Sequence, residues 1–302
     1  MRSGFASIVG RPNVGKSTLL NTIVGEKITI TSSKANTTRH QIRGVLSRAD
    51  FQVVFVDTPG LHRPKTRLGE RLNESAMDAF SDVDVLIALI EATNAVGPGD
   101  KMVLTRALEV AGRGNGPALL VAVNKIDSAG ANKTAEQLQV AYSTLLEIGA
   151  AKGGGAARAA GDAEFFPISA RTGKGVGALV ESVVSHLEEG PAFYPEEMIS
   201  DQGEAARVAE LVREQLLSRT RDELPHAIHC QVTEWEGNRI RVEILVERDS
   251  QKGIVIGKGG EVLKEVGTET RRQLPEGTYL ELAVRVEKNW QSRGDVLDRF
   301  GY

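Results

Sequence analysis

A lone cysteine, Cys230, serves all 302 residues. That excludes an internal disulfide and a cysteine-cluster metal site, and it suits a reducing cytoplasm. Cys230 sits in an alternating apolar run, so it reads as a buried structural thiol rather than a reactive one. Excess positive charge is also missing: 37 Lys and Arg against 40 Asp and Glu leave a net charge of −3 and a pI near 6.0. This excludes a strongly basic protein that grips nucleic acid through phosphates alone. No apolar run is long enough to span a membrane, and neither a lipidation signal nor a clearly basic amphipathic helix is present. The chain enters its first apolar run almost at once, so no signal peptide or targeting tail is expected. What remains is ordinary for a soluble protein, 41% hydrophobic and 25% charged, and long enough for two domains with separate cores.

What is present starts with Gly10, Arg11, Pro12, Asn13, Val14, Gly15, Lys16 and Ser17. The segment lies between an apolar run at 5–9 and an apolar, helix-like stretch at 17–24. A strand, a glycine-rich loop and a helix form the context of a phosphate-binding P-loop. Gly10 and Gly15 let the backbone turn its N–H groups inward, and the helix N-terminus that opens with Ser17 and Thr18 adds its positive dipole end. Lys16 brings a charge to the β- and γ-phosphates, and Ser17 offers a hydroxyl to Mg²⁺. Asp57, Thr58, Pro59 and Gly60 end a second apolar run at 51–56. An acid there holds Mg²⁺ through water, and the Gly60 N–H faces the γ-phosphate. Asn124, Lys125, Ile126 and Asp127 end a third run. A carboxylate at Asp127 accepts two hydrogen bonds from guanine, a pattern adenine lacks. Ser169 and Ala170 follow a further strand and are placed to close over the base through a backbone N–H. Each motif alone is weak; four in this order, each at a strand end, are strong.

These residues resemble the translation-factor-related small GTPases, whose resemblance implies a doubly wound, mostly parallel sheet. The alternation agrees. Runs near 5–9, 51–56, 84–91, 118–123 and 164–168 read as strands, and segments near 16–25, 68–81, 99–112, 134–149 and 175–189 read as helices. Residues 42–48 read as an antiparallel edge strand. In such GTPases a threonine before the second motif reaches Mg²⁺ in the GTP state; the family pattern favours Thr38, with Thr37 the other candidate. Segments 32–44 and 60–70 are then the switches, and Arg39, His40, Arg63, Lys65 and Arg67 suit exposed loops. Leu61 stands where Ras-like proteins carry a glutamine that orients water. In hydrophobic-substituted GTPases resembling this one, an asparagine at the position of Asn13 helps bind K⁺, which offsets charge between the β- and γ-phosphates. The catalytic set is therefore Asn13, Lys16, Thr38 and Gly60. His62 reads as a solvated switch residue rather than a general base.

The chain changes character near Gly190, Pro191 and Pro195, which mark a linker at 191–203 between a domain at 1–190 and one at 204–302. The second domain reads helix (204–223), strand (227–235), strand (239–248), helix, glycine-rich turn, helix, strand (278–287). Ile240, Val242, Ile244 and Val246 share one face, as do Leu280, Leu282, Val284 and Val286. Gly257, Lys258, Gly259 and Gly260 form the GxxG loop of a type II KH domain. Its glycines admit sugar-phosphate without a Cβ in the way. Lys258 is expected to pair with phosphate, and Ile254 and Ile256 to line a groove for unstacked bases, with Lys264 nearby among the RNA-binding candidates. Residues 200–302 hold 16 Lys and Arg against 19 Asp and Glu, so binding rests on a local cluster, Lys252, Lys258, Lys264, Arg271 and Arg272, five residues that equally suit an ordinary solvated face. Trp235 and Trp290 read as packing or interface residues rather than base-stacking ones. Residues 149–162, rich in glycine and alanine, read as a flexible insertion.

The fold class is thus α/β, a P-loop GTPase followed by an α+β type II KH domain. Over its whole length the chain resembles the Era family, on GRPNVGKSTLLN, TTRHQIRG, VDTPGLH, NKID and VIGKGG. The resemblance implies GTP and GDP as ligands and Mg²⁺, with K⁺, as cofactors. It implies, as partners, single-stranded small-subunit ribosomal RNA near its 3′ end and the assembling small ribosomal subunit. It also implies a cytoplasmic monomer with peripheral association at the inner membrane face, a last feature that no residue here displays. Two alternatives stay open: a GTP-gated RNA chaperone in which hydrolysis is incidental, and a sister GTPase acting on another RNA.

Overall fold

The computed structural model describes residues 1–34, 37–80, 82–220 and 224–302. Residues 35–36 of the first switch, 81 at the end of the second predicted helix and 221–223 of the predicted KH helix lie outside the described residues. The chain divides into two units. One holds Met1–Thr29, Thr38–Pro64 and Arg71–Asp201; the other holds Ile30–Thr37, Lys65–Glu70 and Gln202–Tyr302.

The first unit is built on a six-stranded sheet. Its strands are β1 (Arg2–Gly10), β2 (Ile42–Ser47), β3 (Phe51–Asp57), β4 (Val85–Glu91), β5 (Ala118–Asn124) and β6 (Glu164–Pro167), in the order β2-β3-β1-β4-β5-β6. Only β2 runs antiparallel to its neighbour, and it forms an edge. A sheet covered on both faces needs strands that are apolar throughout, and β4 supplies seven buried residues in a row. Its Val85, Ile87 and Leu89 enter one core while Leu86, Ala88 and Ile90 enter the other, as a period of two requires. Helices α1 (Lys16–Val24) and α7 (Val176–Ser185) close the first core through Leu19, Leu20, Ile23, Leu179 and Val183. The second is closed by α3 (Pro98–Ala111), α5 (Ala131–Lys152), α6 (Gly154–Asp162) and Ala76 of α2 (Arg67–Asp78). A short α4 (Ile126–Ala129) joins β5 to α5. The order reverses at β1, which lies between β3 and β4. The loop after β1 therefore opens at a topological switch point, where ligands of such sheets bind.

One expectation fails here. Residues 149–162 are not a flexible insertion: they are the end of α5 and the whole of α6. The small residues serve close packing. A Cβ on Gly155 would fall 1.8 Å from the Gly112 carbonyl oxygen, and Ala159 and Ala160 are buried in the second core. The stretch after Gly190, read as the start of a linker, is held by hydrogen bonds over its first part. The Gln52 side-chain carbonyl accepts from the amides of Phe193 and Tyr194, its amide donates to the Tyr194 carbonyl, and Phe193 meets Phe5 edge-on at 4.7 Å. Val45 then donates to the Ile199 carbonyl. Residues up to Asp201 are thereby fastened to the β2–β3 edge.

The second unit carries a three-stranded sheet, β7 (His229–Glu236), β8 (Arg239–Val246) and β9 (Tyr279–Val286), with β7 antiparallel and β9 parallel to β8. Helices α8 (Glu204–Arg219), α10 (Asp249–Ile256) and α11 (Glu261–Arg271) cover one face. Ile240, Val242, Ile244 and Val246 are buried in this core, Leu280 joins them, and Leu282, Val284 and Val286 pack against it half-buried. Cys230 is buried there with its thiol unoxidised. Two short helices, α9 (Leu224–Ala227) and α12 (Gly294–Arg299), went unread in the sequence because four to six residues carry too little periodicity. Trp290 is fully buried and donates its indole N–H to the Ala227 carbonyl; Trp235 is exposed. The segment Ile30–Thr37 joins this unit through Ile30, packed with Leu211 and Leu217, and through the Arg213 guanidinium, 1% exposed, which donates to the Thr37 carbonyl and the Glu210 carboxylate.

Candidate functional site

The loop between β1 and α1 is shaped by two left-handed residues, Asn13 at φ 64° and Gly15 at φ 106°. A Cβ on Gly15 would lie 2.3 Å from the Asn124 side-chain nitrogen, so both conformation and space require glycine. Asn124 is the clip of the site. Its amide nitrogen donates to the Val14 carbonyl at 2.8 Å, and its oxygen accepts from the Ala170 amide at 2.9 Å. Three segments distant in sequence are thus joined by one side chain. Of the pair Ser169 and Ala170, expected to offer a backbone N–H to the base, the Ala170 amide donates to Asn124. Gly60 comes so close to the loop that a Cβ would stand 2.6 Å from the Pro12 nitrogen.

The three expected metal residues converge. Ser17 Oγ donates to Asp57 Oδ2 at 2.6 Å and lies 2.8 Å from Thr38 Oγ1, which reaches Asp57 Oδ2 at 3.3 Å. Thr37 instead donates its hydroxyl to the Lys34 carbonyl at 2.7 Å, so Thr38 is the threonine beside Ser17 and Asp57. The hydroxyls of Ser17 and Thr38 are spaced like neighbouring corners of an octahedron, about 2.9 Å apart for bonds of about 2.0–2.1 Å. Asp57 is fully buried, and its Oδ1 has no hydrogen-bond partner among the described residues. A buried, half-satisfied carboxylate beside two hydroxyls fits a hard divalent cation.

Lys16 stands 6% exposed beneath the loop and donates to the Gly10 and Arg11 carbonyls at 3.3 Å. Burial lowers its pKa to about 8, against the opposing pull of Asp57. Burial pushes Asp57 upward, against Lys16 and the hydroxyl bonds. Each group is short of compensating charge, which polyphosphate and a cation would supply together. Asp127 is the opposite case. The Ser169 hydroxyl donates to its Oδ1 at 2.7 Å, the Ser128 hydroxyl to its Oδ2 at 3.0 Å, and Arg171 pairs with it; the Ser169 bond leads in holding its pKa down. It is held as a carboxylate.

Other candidates fall where chemistry allows less. Leu61 is buried in the second core, and Arg39, expected to be exposed, is buried as well. The backbone of His62 is held at both N–H and carbonyl by Asn73. Arg11 turns its guanidinium to Asp100 at 2.8 Å and Glu91 at 3.2 Å. Lys125 donates to the Asn13 carbonyl at 2.8 Å and pairs with Glu91. Glu91 and Asp100 belong to no motif read from the sequence; a lone acid ending a buried apolar strand was the available signal.

In the second unit Gly257, Gly259 and Gly260 all have positive φ, at 77°, 62° and 81°. A Cβ on Gly257 would meet Val262 at 2.5 Å, whereas Gly259 and Gly260 face open space. Lys258 and Lys264 are exposed, Ile254 is 56% exposed, Ile256 is half-buried, and Val255 between them is core. Arg272 pairs with Glu269 within α11, so its charge is locally balanced.

Known proteins share this arrangement. A family model described as "50S ribosome-binding GTPase" matches residues 5–125, and one described as "KH domain" matches residues 223–291. The GTPase Era of Mycolicibacterium smegmatis is 45% identical, with 100% of this chain and 99% of the relative covered. The chain belongs to the Era family of GTPases. The Era of Mycobacterium tuberculosis is 44% identical, with 99% of this chain and 98% of the relative covered. Two solved Era structures, each at TM-score 0.89 and 35% identity, cover 100% of this chain, with 99% of their own chains matched. One is Era in complex with MgGDPNP and nucleotides 1506–1542 of 16S ribosomal RNA; the other is an Aquifex aeolicus Era variant bound to GDP·AlF₄⁻. The family is one of GTPases, and the reaction is conversion of GTP and water to GDP and phosphate. Among the described residues no helix is long and apolar enough to cross a membrane.

Proposed function

We propose that this chain is a GTP-hydrolysing switch that binds single-stranded small-subunit ribosomal RNA near its 3′ end through the KH domain and so assists assembly of the small ribosomal subunit. The observation that carries the reading is the full-length match to an Era solved with MgGDPNP and 16S ribosomal RNA nucleotides. In this reading the backbone of residues 10–18 wraps the phosphates, and Lys16 meets the β- and γ-phosphate oxygens. Ser17 and Thr38 hold Mg²⁺ directly and Asp57 through water. Bound Mg²⁺ neutralises charge on the β- and γ-oxygens. The Gly60 N–H meets the γ-phosphate, and Asp127, steadied by Ser169, reads guanine. Because Thr38 follows the segment Ile30–Thr37 in the chain, release of its hydroxyl after hydrolysis frees the first switch. At the second site Gly257, Gly259, Gly260 and Lys258 admit the RNA backbone, while Ile254, Ile256 and Lys264 border the bases.

Leu61 lies in the core, so no glutamine-like side chain orients water. Asn13, exposed at the tip of its loop, is our candidate ligand for K⁺. Hydrolysis should run faster in K⁺ than in Na⁺ and lose that preference in Asn13→Ala; equal rates in both salts remove the K⁺ role. The decisive experiment is GTP hydrolysis with and without a short single strand matching the RNA 3′ end, with Gly257→Asp beside the wild type. Stimulation lost in the variant ties the two sites into one switch. Tight RNA binding without stimulation favours a second reading, a GTP-gated RNA chaperone, which the buried Leu61 also favours.

A further inference from the structure

We infer that Glu91 is a positioning residue: its one carboxylate holds the P-loop and the guanine-reading loop in register, and it thereby sets how long a guanine nucleotide stays bound. This rests on the nucleotide-site reading above and names the residue that governs it.

Glu91 is the last residue of β4 and is 7% exposed. Its Oε1 accepts from Lys125 Nζ. Its Oε2 accepts from Arg11 Nη2 at 3.2 Å, from Asn94 Nδ2 at 2.5 Å and from Thr93 Oγ1 at 3.3 Å. Both oxygens are therefore committed, one to each loop, and the Oε2 bonds also tie in the turn after β4. The net extends outward on each side. Lys125 Nζ donates to the Asn13 carbonyl at 2.8 Å. Arg11 Nε donates to Asp100 Oδ1 at 2.8 Å, and Asp100 Oδ2 accepts from the Gly97 amide at 3.0 Å, fixing the start of α3.

The two loops need such a hold. Asn13 and Lys125, the residues joined by the Lys125 bond, both adopt left-handed backbone conformations, at φ 64° and 69°. Each costs a non-glycine residue about 1–2 kcal/mol, and such residues persist only where surrounding bonds over-determine them. Removing the Glu91 charge leaves Lys125 and Arg11 without the carboxylate they share, and the hold on the strained turns weakens. Hydrogen bonds then lower the carboxyl below its usual range despite burial, with the Lys125 bond foremost among them, so Glu91 acts as an anion across the neutral pH range. Its carboxylate acts through Lys125 and Arg11, the side chains that reach the two loops.

The test uses the full chain loaded with fluorescent GDP and chased with unlabelled GDP. In Glu91→Gln, which keeps shape and removes charge, dissociation should accelerate about ten- to a hundredfold, the worth of one charge-assisted hydrogen bond. In a Lys125→Met background the same substitution should accelerate it by less than about threefold, because the partner is already gone. A purely structural role predicts equal factors in both backgrounds, and that result overturns the inference. So does unchanged dissociation in Glu91→Gln alone. Thermal unfolding of each variant identifies any that fails to fold; Arg11→Gln, which removes a different partner, then stands in and should give a smaller acceleration of the same kind, no acceleration counting against the hub. A wild type that does not retain GDP in preference to ADP would defeat the nucleotide-site reading instead.

Discussion

The two glycine-rich loops of this chain solve one problem in opposite ways. Both lead into a helix N-terminus and both use left-handed glycines. The P-loop is enclosed: Gly15 abuts Asn124, Gly60 abuts Pro12, and Glu91, Asn124 and Lys125 tie the walls together. The GxxG loop is enclosed on one side only, where Gly257 abuts Val262; Gly259 and Gly260 face open space and Ile254 is exposed. A preorganised cradle suits a small anionic ligand, whose binding is sharpened by fixed dipoles and fixed charges. An open loop beside exposed apolar side chains suits a chain of bases that brings its own stacking surface.

The largest expected effect tests the enclosed loop. Gly15→Ala forces a Cβ into Asn124 and a side chain into the left-handed region, at roughly 3 kcal/mol. GDP affinity by calorimetry should fall at least about a hundredfold, and a fall under fivefold would mean that the clip is loose. Next comes the open loop. Gly257→Asp should weaken RNA binding more than about tenfold in a filter or anisotropy assay. Gly259→Ala, strained at φ 62° but not crowded, should cost about fivefold, the worth of roughly 1 kcal/mol. Equal losses at the two positions would break the distinction between the walled and open sides.

A third expectation concerns pH. The Lys16 ammonium is depressed to about 8 by burial, and bound polyphosphate raises it again. The complex then holds more protons than the free protein above pH 8, so GDP affinity falls as pH rises through that range, by up to about tenfold per unit. The same depression means the free protein gains stability as pH rises from about 8 toward the ordinary lysine value of 10.5, because the unfolded chain there binds more protons. Lys16→Met should flatten the affinity profile, as measured by titration at pH 7, 8 and 9. The smallest effect lies away from both sites. Gly155→Ala presses a methyl onto the Gly112 carbonyl and should cost about 1–3 kcal/mol of first-unit stability. RNA affinity should be unchanged.

Much of this was legible before any coordinates. β4 and β5 announce themselves as unbroken apolar runs, because strands covered on both faces have no polar side to show. The ligand-facing ends follow from that, since each motif sits where such a run stops. Glycine was harder to read. In residues 149–162 it suggested flexibility, yet α6 uses it to let backbones approach, and sequence alone cannot tell an empty side chain from an excluded one. Prolines 191 and 195 marked a linker, and nothing in the sequence said that Gln52 holds the backbone between them.

What the amino-acid order determined by itself was the inventory: a P-loop, an acid and a glycine after one apolar run, an Asn-Lys-Ile-Asp segment after another, and a GxxG loop between two helices. These are local, because each is a few consecutive residues whose backbone conformation and chemistry are set by near neighbours. Only the tertiary structure decided which hydroxyl joins Ser17 and Asp57, what Asn124 clips, and that Glu91 matters at all. Glu91 meets Lys125 across 34 residues and Arg11 across 80, and Asn124 meets Val14 across 110. Such pairs leave no periodic trace in a single chain; they exist because a parallel sheet brings the ends of β1, β4 and β5 to one edge.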